Sequence, residues 1–308
     1  MTKELLRRRS EWRTTEPELR KRRSMTRFYN SKISRPHNSS TQGLLLVLDG
    51  DNTLWDTSSV FVKAQLGLLD VLHRAGVCGA PTTELAFVRR VDALLAERLQ
   101  NFEYDPRDLA SVLVRHFTAE EVPQIETSVE LAIAEQGCAP AEAVALVEAA
   151  AAAFRTGLEA IPALFPGVAE TLRELRHRWP SDGRLAIALF TEGERSRVER
   201  VLSAHEDVLA DVFDDIIFAP KDAQAFTDVR QRLAARLPTA MRAGSRAIMV
   251  GDALTRDIGP ANEAGYTTVY RPAAFRGNEQ PRTEAERPTY VIGEGEFAEL
   301  SRIVELGH

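Results

Sequence analysis

The run LLLVL at Leu44–Leu48 is apolar at every position and is followed at once by DGDNTLW. A strand with one solvated face alternates polar and apolar residues. This one does not alternate, so it predicts a strand covered on both faces, as in the middle of a parallel sheet. The residues that follow are harder to accommodate. Asp49 and Asp51 stand one residue apart at the mouth of that buried strand, where carboxylates repel one another and resist desolvation.

Beyond ALFPGV (Ala163–Val168) the theme repeats. A helical pattern over Ala169–His177 leads to LAIALF (Leu185–Phe190), and Arg195–Ala204 leads to DIIFA (Asp215–Ala219). Ala223–Arg236 precedes RAIMVGD (Arg246–Asp252), and the short helix Gly259–Ala264 precedes TTVY (Thr267–Tyr270). TYVIG near Tyr290 and a closing helix end the series. Strands alternating with helices predict an α/β fold, a parallel sheet with helices on both faces. Between the first strand and this series no convincing strand occurs. Helical periodicity over Val60–Ala75, Thr83–Gln100, Asp108–Phe117, Ile125–Gln136 and Ala141–Leu158 marks residues 57–163 as an inserted helical module. Its alanine run, Ala149–Ala153, favours close helix packing. The α/β core is then residues 43–56 with 164–308.

Composition sets the outer limits. With 308 residues and 44% hydrophobic content, the chain can bury a large core and a second module. No window approaches eighteen consecutive apolar residues, so no membrane partner is expected. The charged N-terminus lacks the apolar stretch of a secretory signal. The two cysteines, Cys78 and Cys138, lie far apart, and the six histidines form no metal-binding pattern. Neither a disulfide nor a zinc site has support, and a reducing, cytoplasmic location is expected. The net charge of −6 conceals two different regions: residues 1–42 carry +8 and the rest −14. The first forty-two residues read as a basic, disordered extension, with Met25 as an alternative first residue. Binding of nucleic acid or an acidic partner is the functional reading of the same segment. Oligomeric state leaves no trace in the sequence.

In an open parallel sheet, ligands bind beyond the carboxyl ends of the strands. Those ends deliver Asp49, Asp51 and Thr53 after the first strand, and Thr191 after LAIALF. They also deliver Lys221 after DIIFAP, and Asp252 with Asp257 after IMVG. Asp49, Asp51 and Asp252, brought together, call for a hard cation with oxygen ligands, for which Mg²⁺ is suited. With Lys221 offsetting further charge, a phosphate dianion can approach and Asp49 can attack phosphorus. Asp51 can protonate the leaving oxygen and then deprotonate water. The Thr191 hydroxyl and nearby N–H groups can hold the equatorial oxygens.

These residues carry a resemblance. DGDNT resembles the D-x-D-x-T first motif of the haloacid dehalogenase-like (HAD) superfamily. Thr191 resembles its second motif and Lys221 its third, while GDALTRD (Gly251–Asp257) resembles its fourth, G-D-x-x-x-x-D. All four stand in order across residues 43–56 and 164–308. The resemblance implies a Rossmann-like core, Mg²⁺ dependence and an aspartyl-phosphate formed on Asp49. It assigns acid/base work to Asp51, whose backbone carbonyl also meets the metal, direct metal ligation to Asp252, and support of the metal or of Lys221 to Asp257. It makes the helical insertion a cap closing over small substrates. Ala253 departs from the pattern, since many members have Ser or Thr there.

The expectation is a Mg²⁺-dependent phosphomonoester hydrolase acting on a small phosphorylated metabolite. A dehalogenase on the same fold, with Asp49 attacking carbon, is one alternative. A regulatory or nucleic-acid-binding protein using residues 1–42 is another. Trp55 is expected under the cap junction, and Arg89, Arg90, Arg107 and His116 are the cap candidates for binding a leaving group.

Overall fold

The computed structural model describes residues 43–99, 104–119, 124–134, 143–179, 183–238, 244–273, 279–293 and 295–306. The basic segment 1–42 and Cys138 lie outside them.

Six strands form one parallel sheet: β1 (Leu44–Leu48), β2 (Leu185–Thr191), β3 (Asp215–Phe218), β4 (Arg246–Gly251), β5 (Thr267–Tyr270) and β6 (Tyr290–Val291), in the order β3-β2-β1-β4-β5-β6. The chain builds outward from β1 through β2 to β3, then returns to the other side of β1 with β4. The order therefore reverses beside β1, and the switch point lies at the carboxyl ends of β1 and β4. All five β1 residues are buried, as their unbroken apolar character requires. Alternate residues feed two apolar layers. Leu44, Leu46, Leu48, Ile187 and Leu189 pack on one face, while Leu45, Val47, Ala188, Phe190 and Met249 pack on the other. The covering helices of the core are α6 (Val168–Arg178), α7 (Arg195–Ala204), α8 (Glu206–Leu209), α9 (Ala223–Ala234), α10 (Gly259–Glu263) and α11 (Glu299–Leu306).

Between β1 and β2 lie α1 (Thr57–Arg74), α2 (Pro81–Leu99), α3 (Pro106–Thr118), α4 (Ile125–Ala134) and α5 (Val144–Leu158). These helices share an apolar cluster of their own, which includes Leu68, Leu69, Val91, Leu113 and Phe154. α1 starts three residues earlier than its apolar pattern because Asp56 caps it, accepting from the Ser59 N–H at 3.0 Å. α3 starts likewise at Pro106, behind Asp105, which accepts from the Arg107 N–H. The alanine-rich α5 lies close against α1: a Cβ on Gly157 would collide with the Ala64 backbone. The two connections between insertion and core run side by side. Phe165 N–H donates to Leu54 O at 3.0 Å and Asp56 N–H to Ala163 O at 2.9 Å. Among the described residues, no helix is long and apolar enough to cross a membrane.

Candidate active site

The sheet brings the sequence-selected acids to one place. Asp49 leaves β1, and Asp252 leaves the neighbouring β4. Both are buried, as is Asp257. After β4 the backbone takes a single π-helical turn (Leu254–Ile258) rather than entering an α-helix directly, and Asp257 sits in that turn. Its carboxylate folds back to accept from the Ala253 N–H at 2.9 Å. The approach is so close that a Cβ on Gly251 would overlap the Asp257 side chain, so the glycine of this motif is a steric requirement.

Lys221 follows β3 and reaches between the carboxylates. Its ammonium donates to Asp49 Oδ1, and to Asp257 Oδ1 at 2.6 Å. The Thr53 hydroxyl donates to the other Asp49 oxygen at 3.0 Å. Thr191, the last residue of β2, is buried and accepts from the Gly193 N–H at 3.0 Å. Burial pushes the Asp49 carboxyl up to about 8; Lys221 opposes this, while Asp257 and Asp252 reinforce it. The Lys221 ammonium is held above its ordinary range, because Asp257 and Asp49 outweigh the cost of its burial.

Oxygens of Asp49, Asp252 and Asp257 lie within 4.8 Å of one another. Three buried carboxylates with one lysine among them leave an excess of negative charge that the protein interior tolerates poorly. An all-oxygen donor set of this kind fits Mg²⁺ by ligand type and charge.

The Asp51 carboxylate lies outside this triad; the metal contact that the resemblance implies for Asp51 is made by its backbone carbonyl, not by this side chain. Its carboxylate pairs with both Arg197 nitrogens, at 2.9 and 2.6 Å, and accepts from the Thr57 hydroxyl and the Trp55 indole. Burial raises this carboxyl, but the Arg197 bonds and charge, with Thr57 and Trp55, outweigh it and hold it below its ordinary range. Trp55 is fully buried at the junction, as expected there, and it also orients Asp51. The loop between them turns at Asn52, whose φ of 60° is left-handed. Its carbonyl accepts from Arg271 at 2.7 Å, and Arg271 itself stacks 3.7 Å from the Phe165 ring centroid.

A cavity of about 1110 Å³ opens over the site. The core lines it with Asp49, Asp51, Thr191, Lys221, Asp252 and Asp257, and helices of the insertion close the other side. Of the four insertion residues singled out from sequence, Arg89 alone lines this cavity. Arg90 pairs with Glu126 and Arg107 with Asp105. His116 packs 4.5 Å from the Phe87 ring. Sequence reasoning missed Arg197, which lines the cavity from the first turn of α7. Its only signal was an arginine six residues after Thr191, just past the EGE turn (Glu192–Glu194).

A family model for haloacid dehalogenase-like hydrolases matches residues 44–265. A search of the curated proteins by sequence gives no match. Among solved structures, a haloacid dehalogenase-like family hydrolase from Xanthomonas campestris superposes with a TM-score of 0.53 at 19% identity, over 86% of this chain and 97% of its own. An HAD hydrolase from Bacillus subtilis with magnesium bound gives 0.53 at 17% identity, over 85% of this chain and 99% of its own. A β-phosphoglucomutase candidate from Thermotoga maritima gives 0.51 at 14% identity, over 85% and 99%. These likenesses establish a common fold. With a parallel sheet in this order and a family match over most of its length, the chain belongs to the haloacid dehalogenase-like hydrolases.

Proposed function

We propose that the protein is a Mg²⁺-dependent phosphomonoester hydrolase acting on a small phosphorylated metabolite. The observation that carries the reading is the buried group of Asp49, Lys221, Asp252 and Asp257, with Asp51 two residues from Asp49 at the floor of one cavity. Asp49, Asp252 and Asp257 would hold Mg²⁺, which when bound offsets carboxylate charge and draws phosphate oxygens to the site.

Lys221 orients Asp49 and neutralises part of the approaching phosphate. A carboxylate oxygen of Asp49 forms a bond to phosphorus as the bond to the leaving oxygen breaks, giving an aspartyl-phosphate. Asp51, ionised in its pair with Arg197, has to take up a proton before it gives one to the leaving oxygen; as a carboxylate it then takes one from the water that attacks phosphorus and releases phosphate from Asp49. The Thr191 hydroxyl, whose oxygen accepts from the Gly193 N–H, keeps its own O–H to donate to an equatorial phosphate oxygen.

The competing reaction on this fold is attack by Asp49 on carbon with loss of halide. Asp51 favours phosphate, because a departing halide needs no proton. The test is release of phosphate from p-nitrophenyl phosphate in Mg²⁺, set beside release of chloride from 2-chloropropionate. Phosphate release that stops on Asp49→Asn supports the reading. Chloride release without phosphate release overturns it.

A further inference from the structure

The wall of the cavity opposite the aspartates has a polar cluster of its own. On α2, Arg89, Asp92, Ala93 and Ala96 fall on one helical face and line the cavity, and α1 contributes Gln65. Gln65 is only 3% exposed. Its Nε2 donates to Asp92 Oδ2 at 2.8 Å, and the Tyr104 hydroxyl donates to Asp92 Oδ1. These bonds fix the amide, since turning it over would set its oxygen against a carboxylate. Gln65 Oε1 is thereby left enclosed, with no hydrogen-bond partner among the described residues. A buried acceptor without a donor is costly and calls for one. Phe61 and Phe154 line the same cavity and supply apolar surface there. An acceptor on a wall that also carries aromatic side chains matches a molecule with a hydroxyl edge and a carbon face.

We propose that this wall binds the leaving group of the phosphate ester and that the group is a polyol, such as a sugar. One hydroxyl donates to Gln65 Oε1 while the carbon face packs on Phe61 and Phe154. The inference rests on the phosphatase reading, because it places the phosphate end at Asp49. A neutral hydroxyl suits the wall better than an ammonium. The unpartnered acceptor is a neutral amide oxygen, and Asp92 already takes two donors. Burial, opposed by Tyr104 and Gln65, holds the Asp92 carboxyl above its ordinary range. Arg89, exposed and without an ion pair among the described residues, adds positive charge to the same wall.

The test compares glucose 6-phosphate with cyclohexylmethyl phosphate, which keeps a ring of similar size without hydroxyls, and includes O-phosphoethanolamine as the ammonium arm. In Mg²⁺ the wild-type chain is expected to favour glucose 6-phosphate over the bare ring by about tenfold or more in kcat/KM. Gln65→Met should bring that ratio toward one, mainly through KM. Asp92→Asn, which removes the reason for the amide's orientation, should weaken the same preference. Equal use of both rings, a preference that survives both variants, or best use of O-phosphoethanolamine overturns the proposal.

Calorimetric binding to the Asp49→Asn chain separates this idea from the phosphatase reading. Tighter binding of the hydroxylated ester, lost when Gln65→Met is added, upholds the wall even where the wild type releases no phosphate. Hydrolysis of p-nitrophenyl phosphate with no preference for hydroxyls removes the wall and leaves the phosphatase reading standing.

Discussion

Lys221 offsets one of the three charges of Asp49, Asp252 and Asp257, and that imbalance sets a pH dependence. Without metal, burial moves the Asp49 carboxyl from an ordinary 3.8 to about 8. Between those values the folded chain binds a proton that the unfolded chain has lost, so this group's contribution to stability falls as the pH rises through the window. Asp51 works in the other direction. Its carboxyl is held low, chiefly by Arg197 working against burial, so its contribution is present at neutral pH and is lost as the pH falls below the ordinary carboxylate range. A divalent cation acts on the first effect by compensating the ionised cluster. The rise in Tm on replacing EDTA with Mg²⁺ should therefore grow between about pH 5 and 8. A rise that is absent, or constant with pH, would count against the carboxylate triad as the metal site. The acids themselves were legible in the sequence because each follows an apolar run directly. Arg197 and Gln65 were not, because their partners lie 146 and 27 residues away and only the folded chain joins them.

At the scale of elements, the strands were read from continuous apolar runs and the helices from their 3.6-residue period, and the structure places both close to those positions. The differences have local causes. Caps at Asp56 and Asp105 start α1 and α3 before their apolar patterns begin, since polar and proline residues at a helix N-terminus carry no periodicity. The π-helical turn at Leu254–Ile258 left no pattern at all; it accompanies the close approach of the Asp257 side chain to Gly251. Gly157, near the end of α5, illustrates packing against propensity. Alanine there would favour the helix by about 0.5–1 kcal/mol. Its methyl would meet the Ala64 backbone of α1, and overpacking typically costs about 1–3 kcal/mol. Gly157→Ala is expected to be net destabilising, read as a lower urea midpoint at an unchanged slope. A higher midpoint would mean that α1 and α5 separate without cost.

For the whole molecule, the paired connections matter most. Leu54 to Asp56 and Ala163 to Phe165 lie hydrogen-bonded side by side, with Trp55 bridged to Leu164, so the insertion leaves and rejoins the core at one point. The insertion has its own apolar cluster, and the sheet has its two layers without it. Replacing residues 62–160 by a short Gly/Ser linker should then leave a cooperatively folding core, because the chain leaves and rejoins the core through the paired segments Leu54–Asp56 and Ala163–Phe165 and the Asp51 contacts from Trp55 and Thr57 remain. The substitution removes the wall that carries Gln65, Asp92 and Phe154 and uncovers the aspartates. Water exclusion and leaving-group contacts are lost together, while bulky esters gain access. The ratio of kcat/KM for glucose 6-phosphate to that for a phosphopeptide should fall by roughly tenfold or more relative to the intact chain. Circular dichroism and a single urea transition establish that the shortened core is folded before the ratio is read. An intact chain that cleaves the phosphopeptide better than any small ester would contradict the idea that the helical insertion selects what reaches Asp49.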